Sequence, residues 1–274
     1  MLHDFGLKCL MSVPVLPLEL YRCLRCQQEG LAATADRLYC PQCGQIYPRL
    51  NPQTVDFIAP FGDPLPMTPA QAIAHLPIFA WGYEHLWRPR ALSVLTGEPF
   101  DQEREALLLQ ALVGDAQPIL DLATAGGYWS RLLLRQQPHR RLIGLDNASG
   151  VLAEASRQTQ PEWDHYTLIH AQAERIPLAT ASLGAVISGA SLNELPLQPC
   201  LEEIARVLRP GGVLVSMHSQ HLAEGWNHLV QQALQTTGLR FYGEDELRTA
   251  LAAVGLSMQR YLSYGAVAFV QAVR

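Results

Sequence analysis

The run Ile119-Leu-Asp-Leu-Ala-Thr-Ala-Gly-Gly127 leaves this chain few folds to choose from: an apolar strand reaches a carboxylate, turns on small residues and enters a helix. A second apolar run, Leu142-Ile-Gly-Leu-Asp146, ends on another carboxylate, about twenty residues past that turn. Runs without polar alternation belong to strands covered on both faces, the condition of a parallel sheet between helix layers. Small residues at the first turn let the backbone approach a ligand closely. A carboxylate at the next strand end offers two oxygens to a ribose diol. Together these features mark a nucleoside-containing cofactor lying across the carboxyl ends of parallel strands.

The same alternation continues to the last residue. It predicts strands over 118–122, 141–145, 166–170, 183–188 and 213–218, and helices over 128–137, 149–158, 199–208 and 244–254. Two further strands, 257–264 and 266–273, are joined by Gly265 as a closing antiparallel hairpin. The expected architecture is α/β, a doubly wound sheet. With 274 residues, 49% hydrophobic and 16% charged, the chain can bury one large domain and carry a small appendage. A net charge of −5 gives no general attraction for phosphate backbones, so a nucleic-acid role needs a local basic patch. No apolar stretch has the length of a membrane span. The apolar run from Cys9 to Leu20 is broken by Pro14 and Pro17 and lacks the basic front of a signal peptide. A cytoplasmic location is the expectation.

Four of the six cysteines fall as Cys23-Leu-Arg-Cys26 and Cys40-Pro-Gln-Cys43, with Gly44 after the second pair. Two Cys-x-x-Cys knuckles aim four thiolates at one centre and close a tetrahedral structural Zn²⁺ site, the cation leaving no position open for catalysis. Two disulfides or four unrelated buried thiols are the alternatives; a reducing compartment favours zinc. Residues 1–60, expected as a zinc ribbon, carry five basic and five acidic side chains, a neutral balance that gives RNA binding little support. Pro60, Pro64, Pro66 and Pro69 mark a linker. Within 61–99, Thr68-Pro69 begins a preface helix with Ile73, Leu76, Phe79, Tyr83 and Trp87 at helical spacing.

Residues 100–274 resemble a type 11 class I S-adenosylmethionine-dependent methyltransferase. The likeness rests on the glycine loop, on Arg206-Val-Leu-Arg-Pro-Gly-Gly212 closing a helix before a buried strand, and on the closing hairpin. The ribbon followed by Trp/Arg-rich helices is similar to cyanobacterial and plastid proteins of that group. A similar order occurs in bacterial enzymes that methylate a guanine of ribosomal RNA. The resemblance implies a Rossmann-like seven-stranded methyltransferase sheet binding S-adenosylmethionine, and a preface helix that either packs on the domain or lies over the cofactor as a lid.

It also implies roles. Asp121 anchors the turn and reaches toward the methionyl amine, while Ala123, Ala125 and Gly127 give backbone contact. Asp146 accepts the ribose hydroxyls and Asn147 lies along the adenine. Gln172 and Ala173 match the loop that meets the adenine amino group, and Ser188 with Gly189 ends the fourth strand beside the transferring methyl. Three positions depart from the family: Ala125 within the usual Gly-x-Gly, Gln172 in place of a common acidic residue, and Leu183-Gly184 in place of an aromatic-Asp pair.

Methyl transfer is an in-line displacement on an activated carbon, so aligning the acceptor and excluding water supply much of the rate. A base is needed only where the acceptor holds a proton of high pKa. Asn193, Glu194, His218 and His221 follow the fourth and fifth strands, and His218 is the catalytic candidate. Three readings stand: a methyltransferase for a small, flat aromatic or quinone-like acceptor, a ribosomal RNA base methyltransferase, and a non-catalytic module of the same fold.

Overall fold

The computed structural model of the chain describes residues 17–62, 88–221 and 226–274. The expected preface helix from Thr68 to Trp87 lies outside them, as does Cys9. The first four strands are β1 (Ala32–Ala33), β2 (Arg37–Tyr39), β3 (Ile46–Asn51) and β4 (Thr54–Asp56). Helices α1 (Arg88–Thr96) and α2 (Gln102–Val113) follow. Asp101 caps α2 by accepting the Arg104 N–H at 2.8 Å.

Strand and helix then alternate as β5 (Ile119–Leu122), α3 (Tyr128–Gln136), β6 (Leu142–Asp146), α4 (Ser149–Arg157), β7 (Tyr166–His170) and β8 (Leu183–Gly189). The chain continues through α5 (Leu197–Val207), β9 (Leu208–Ser219), α6 (Trp226–Gln235), α7 (Glu244–Ala253), β10 (Ser257–Tyr264) and β11 (Val267–Val273).

The strands lie in the order β1-β2-β3-β4-β7-β6-β5-β8-β9-β11-β10. From β7 to β9 every neighbour is parallel, and β11 runs antiparallel between β9 and β10. That is the seven-stranded methyltransferase sheet with its closing hairpin. Order reverses at β5, where the chain goes out to β6 and β7 and returns to β8, opening a crevice at the strand ends.

One apolar layer (Leu120, Ile143, Val186, Leu214) packs under Leu201 and Ile204 of α5 and Leu251 of α7. The opposite layer (Ile119, Ile187, Phe269) packs under Leu109 of α2, Leu133 of α3 and Leu152 of α4.

The ribbon is not a separate sheet. β4 pairs parallel with β7, setting Val55 beside Ile169 and Asp56 beside His170. Tyr21, Tyr47 and Phe57 extend the first apolar layer into the four-cysteine segment. The boundary expected at residue 60 therefore divides stretches that share one hydrogen-bonded ladder.

Two departures from the expected pattern have a packing cause. Arg209–Gly212 is a bulge inside β9, with Gly211 at φ +76°. The Gly211 N–H donates to the Arg274 carbonyl at 2.9 Å, so this turn pins the chain's last residue. At Gly184, a Cβ would stand 2.5 Å from the backbone of Gln117, which explains why no aspartate occupies the position.

Candidate functional site

The turn after β5 is over-determined. Ala123, Ala125 and Gly127 all adopt positive φ, at +54°, +48° and +79°. For alanine that conformation costs about 1–2 kcal/mol, so the neighbours must hold it. Asp121 does so from below: its Oδ2 accepts Thr124 Oγ1 at 2.7 Å, Ser130 Oγ at 2.6 Å and the Ser130 N–H at 3.2 Å. Arg131 of α3 donates to the Gly126 carbonyl. A Cβ at Gly127 would lie 2.7 Å from the Tyr166 hydroxyl, so only glycine fits.

Asp146 closes the turn from the side. Its Oδ2 accepts the Ala125 N–H at 2.9 Å and its Oδ1 accepts the Ala148 N–H at 3.0 Å, which fixes the carboxylate plane at the strand end. The loop and the second carboxylate are thus in direct contact. From across the crevice, Ser191 donates to the Ala123 carbonyl at 3.3 Å and ties the loop after β8 to the loop after β5.

This edge is acidic. Burial pushes the Asp121 carboxyl up to about 6, with the charge of Asp146 adding to the effect against the bonds from Ser130 and Thr124. Burial and then Asp146 likewise raise Glu194. Three carboxyl groups that feel one another at the strand ends favour a ligand carrying positive charge.

The other candidates are distributed around this edge. Asn147 is half-buried and its carbonyl accepts from His170 Nε2 at 3.0 Å. Gln172 is half-buried and Ala173 buried, just beyond β7. Ser188 and Ser216 sit in register on β8 and β9, both buried, and neither hydroxyl has a partner among the described residues. His218, next to last in β9, is fully buried, and its two ring nitrogens likewise have none. Burial pulls it down to about 4, so it is a neutral imidazole across the ordinary pH range. Asn193 is occupied structurally: it donates to the Ser219 carbonyl at 3.0 Å and accepts the Ser219 N–H at 2.8 Å. His221 is exposed.

Sequence reasoning missed Thr124, Ser130, Arg131, Tyr166, Ser191 and His170. Thr124 and Ser130 had a legible signal, since hydroxyls three and nine residues past Asp121 flank a turn and open a helix.

Two surface hollows lie elsewhere. One, of about 270 Å³, opens between Glu19 and Arg141 at the opposite edge of the sheet. The second, of about 350 Å³, lies between Arg131 and Trp163 on the outer side of α3. Neither gathers the strand-end carboxylates, so the site is assigned from those.

In the ribbon, Cys23, Cys26, Cys40 and Cys43 bring four sulfurs within 4.8 Å of one another. Two of the separations are 3.6 Å (Cys23 to Cys43) and 3.5 Å (Cys26 to Cys40). Zn–S bonds of about 2.3 Å set tetrahedral sulfurs roughly 3.8 Å apart, so this donor set fits the cation. The knuckles are built alike: the Gln27 N–H donates to the Cys23 carbonyl and the Gly44 N–H to the Cys40 carbonyl, each at 2.9 Å. Gln27 and Gly44 share positive φ, +68° and +72°. The Tyr47 hydroxyl accepts the Leu24 N–H at 2.8 Å, which directs its own hydrogen to Cys23 Sγ at 3.2 Å.

Comparison with known proteins gives a consistent answer. The family model described as a methyltransferase domain matches residues 119–212. An uncharacterized chloroplastic methyltransferase of Arabidopsis thaliana is 26% identical over 253 residues, covering 84% of this chain and 69% of that protein. A ubiquinone/menaquinone biosynthesis C-methyltransferase of Syntrophotalea carbinolica is 32% identical over 139 residues, covering 50% of this chain and 52% of that relative, so the match spans about half of its length. Among solved structures, a SAM-dependent methyltransferase from Aquifex aeolicus superposes with a TM-score of 0.55 at 18% identity, covering 72% of this chain and 97% of that one, a likeness of fold.

Proposed function

The chain is a class I S-adenosylmethionine-dependent methyltransferase, and from that premise we propose that it methylates a small, flat aromatic or quinone-like acceptor. The observation that carries the cofactor reading is the bond from the Ala125 N–H to the Asp146 carboxylate, which sets loop and acidic strand end together. On this reading Asp146 takes the ribose hydroxyls, and Asn147, Gln172 and Ala173 border the adenine. Asp121 and the backbone of Ala123, Ala125 and Gly127 hold the methionyl end. Ser188 and Gly189 flank the transferring methyl. The acidic rim complements a ligand with a sulfonium and an ammonium group. When bound, S-adenosylmethionine supplies a methyl on a positively charged sulfur; the chain's part is to align an acceptor and exclude water.

The quinone-like acceptor is supported by the relative named for ubiquinone/menaquinone biosynthesis and by the chain's net charge of −5, which does not favour RNA. For an acceptor that must lose a proton, a base works best with its pKa near the working pH. Glu194, raised and at the rim, suits that role better than His218, which stays neutral and fully buried. His218 with Ser188 and Ser216 then offers hydrogen-bonding groups beneath the acceptor side. The four cysteines hold a structural Zn²⁺.

Titration calorimetry with S-adenosylmethionine and S-adenosylhomocysteine tests the cofactor reading. Binding is expected at micromolar ligand for the native chain and to be abolished in Asp146→Ala. No heat at millimolar ligand would favour a non-catalytic module instead. Methyl transfer to demethylated quinols but not to ribosomal RNA is expected; the reverse would overturn the acceptor class.

A further inference from the structure

Asp56 of β4, His170 of β7 and Asp146 of β6 stand side by side at the carboxyl ends of three neighbouring strands. His170 Nδ1 lies 2.9 Å from Asp56 Oδ1 and its Nε2 lies 3.0 Å from the carbonyl of Asn147. Both partners are acceptors. The carbonyl has no proton to give, and Asp56 Oδ1 already accepts the N–H groups of Ile58 at 2.8 Å and Ala59 at 3.1 Å, so that oxygen has none to give either. Both ring nitrogens must therefore donate, which only the imidazolium can do. The pair is largely out of solvent, with side chains 13% and 7% exposed, so water does not substitute for either bond.

We infer that His170 is a positioning residue for the cofactor site: as an imidazolium it ties the peptide after Asp146 to the last strand of the ribbon, so that adenosine binding depends on ribbon docking and on one buried proton. The inference rests on the reading of Asp146 and Asn147 as the adenosine contacts. It gives the ribbon a role beyond bracing the fold, because the strand that pairs parallel with β7 carries the counter-ion.

The charged groups acting on the ring are Asp56 from β4 and Asp146 from β6. Burial alone would pull the imidazole down, but the bond and charge of Asp56, the Asn147 carbonyl and Asp146 outweigh it and hold His170 above its ordinary value. Asp56 is opposed by burial too, yet the bonds from His170, Ala59 and Ile58 hold it below the usual carboxylate range. A raised histidine contributes fully below about 6.5 and its contribution is lost as pH climbs through the higher folded value. The surviving neutral ring can still donate to the Asp56 carboxylate, so the bond to Asn147 is the one given up.

The test is S-adenosylhomocysteine binding by the full-length chain from pH 5.5 to 8.5, with thermal unfolding and ring nitrogen NMR of His170 alongside. In the native chain affinity is expected to fall about tenfold as the ring deprotonates, the usual size of one charge-assisted hydrogen bond. His170→Gln, with one amide donor group in place of two opposed N–H groups, should be weak by a similar factor at pH 6 and should lose that pH dependence. Asp56→Asn removes the counter-charge, so the fall should move to lower pH, a shift that simple destabilisation does not produce. Asp121 titrates near 6 in the same range, but it is present in every variant and cancels in the comparison.

Native-like affinity and slope in His170→Gln, or an unmoved inflection in Asp56→Asn, would overturn the coupling. A ring that NMR finds neutral at pH 6 overturns it even where His170→Gln fails to fold. Undiminished binding by Asp146→Ala sinks the underlying adenosine reading instead, and the coupling with it.

Discussion

Replacing Ala125 with glycine should stabilise the protein. The residue sits at φ +48°, where a Cβ crowds the following carbonyl, at a cost of about 1–2 kcal/mol. Glycine removes that strain but brings extra freedom to the unfolded chain, worth roughly 0.5–1 kcal/mol. Ala125 uses its backbone N–H, bonded to Asp146 at 2.9 Å, and glycine keeps that donor. The net expectation is a gain of about 0.5–1 kcal/mol, which for a domain of this size raises the melting temperature by about 1–4 °C. Gly127→Ala is the opposing control. It meets the same conformational cost at φ +79° and adds a Cβ 2.7 Å from the Tyr166 hydroxyl. Overpacking adds about 1–3 kcal/mol and the reduced freedom of the unfolded chain offsets roughly 0.5–1 kcal/mol, so a loss of about 1–4 kcal/mol is expected. Scanning calorimetry and urea unfolding on both variants read the two signs directly. A lowered melting temperature in Ala125→Gly, with S-adenosylhomocysteine binding intact, would refute the assignment of strain to this turn.

Asp121→Asn should stabilise the protein at pH 8 and change little at about pH 3.5, below the unfolded value. The native carboxyl, pushed up to about 6, contributes fully only below the unfolded value of about 3.9 and loses that contribution as pH rises through 6. Asparagine keeps an acceptor for Thr124 and Ser130 without the buried charge, so an equal shift in melting temperature at both pH values would contradict the burial argument. The purified chain should carry a single zinc equivalent, and stripping it with a chelator should lower the melting temperature, because metal-bound ribbons fold with their cation. Four readily titrated thiols with unchanged stability would exclude a structural metal.

Much of the fold was written locally. Apolar runs of four to seven residues ending at Asp121, Asp146 and Gly189 could only be covered strands; their observed limits fall within a residue or two of the expected ones. The strand following Arg209-Pro-Gly-Gly212 began earlier than expected, because the bulge is held by Arg274, a partner about sixty residues further along the chain. Gly184 likewise looked like a departure from the family until the backbone of Gln117 was found against it.

The sequence by itself determined the alternation of strand and helix, the two acidic strand ends and the paired Cys-x-x-Cys knuckles, since each depends on residues only a few positions apart. The tertiary structure alone decided that β4 joins β7, that His218 is sealed inside the sheet, and that Asp56 meets His170. Those outcomes depend on partners more than a hundred residues away in the chain, as for Asp56 and His170, or on how two apolar layers close over a sheet. No local pattern encodes them, because the free energy that selects them exists only once the layers are packed.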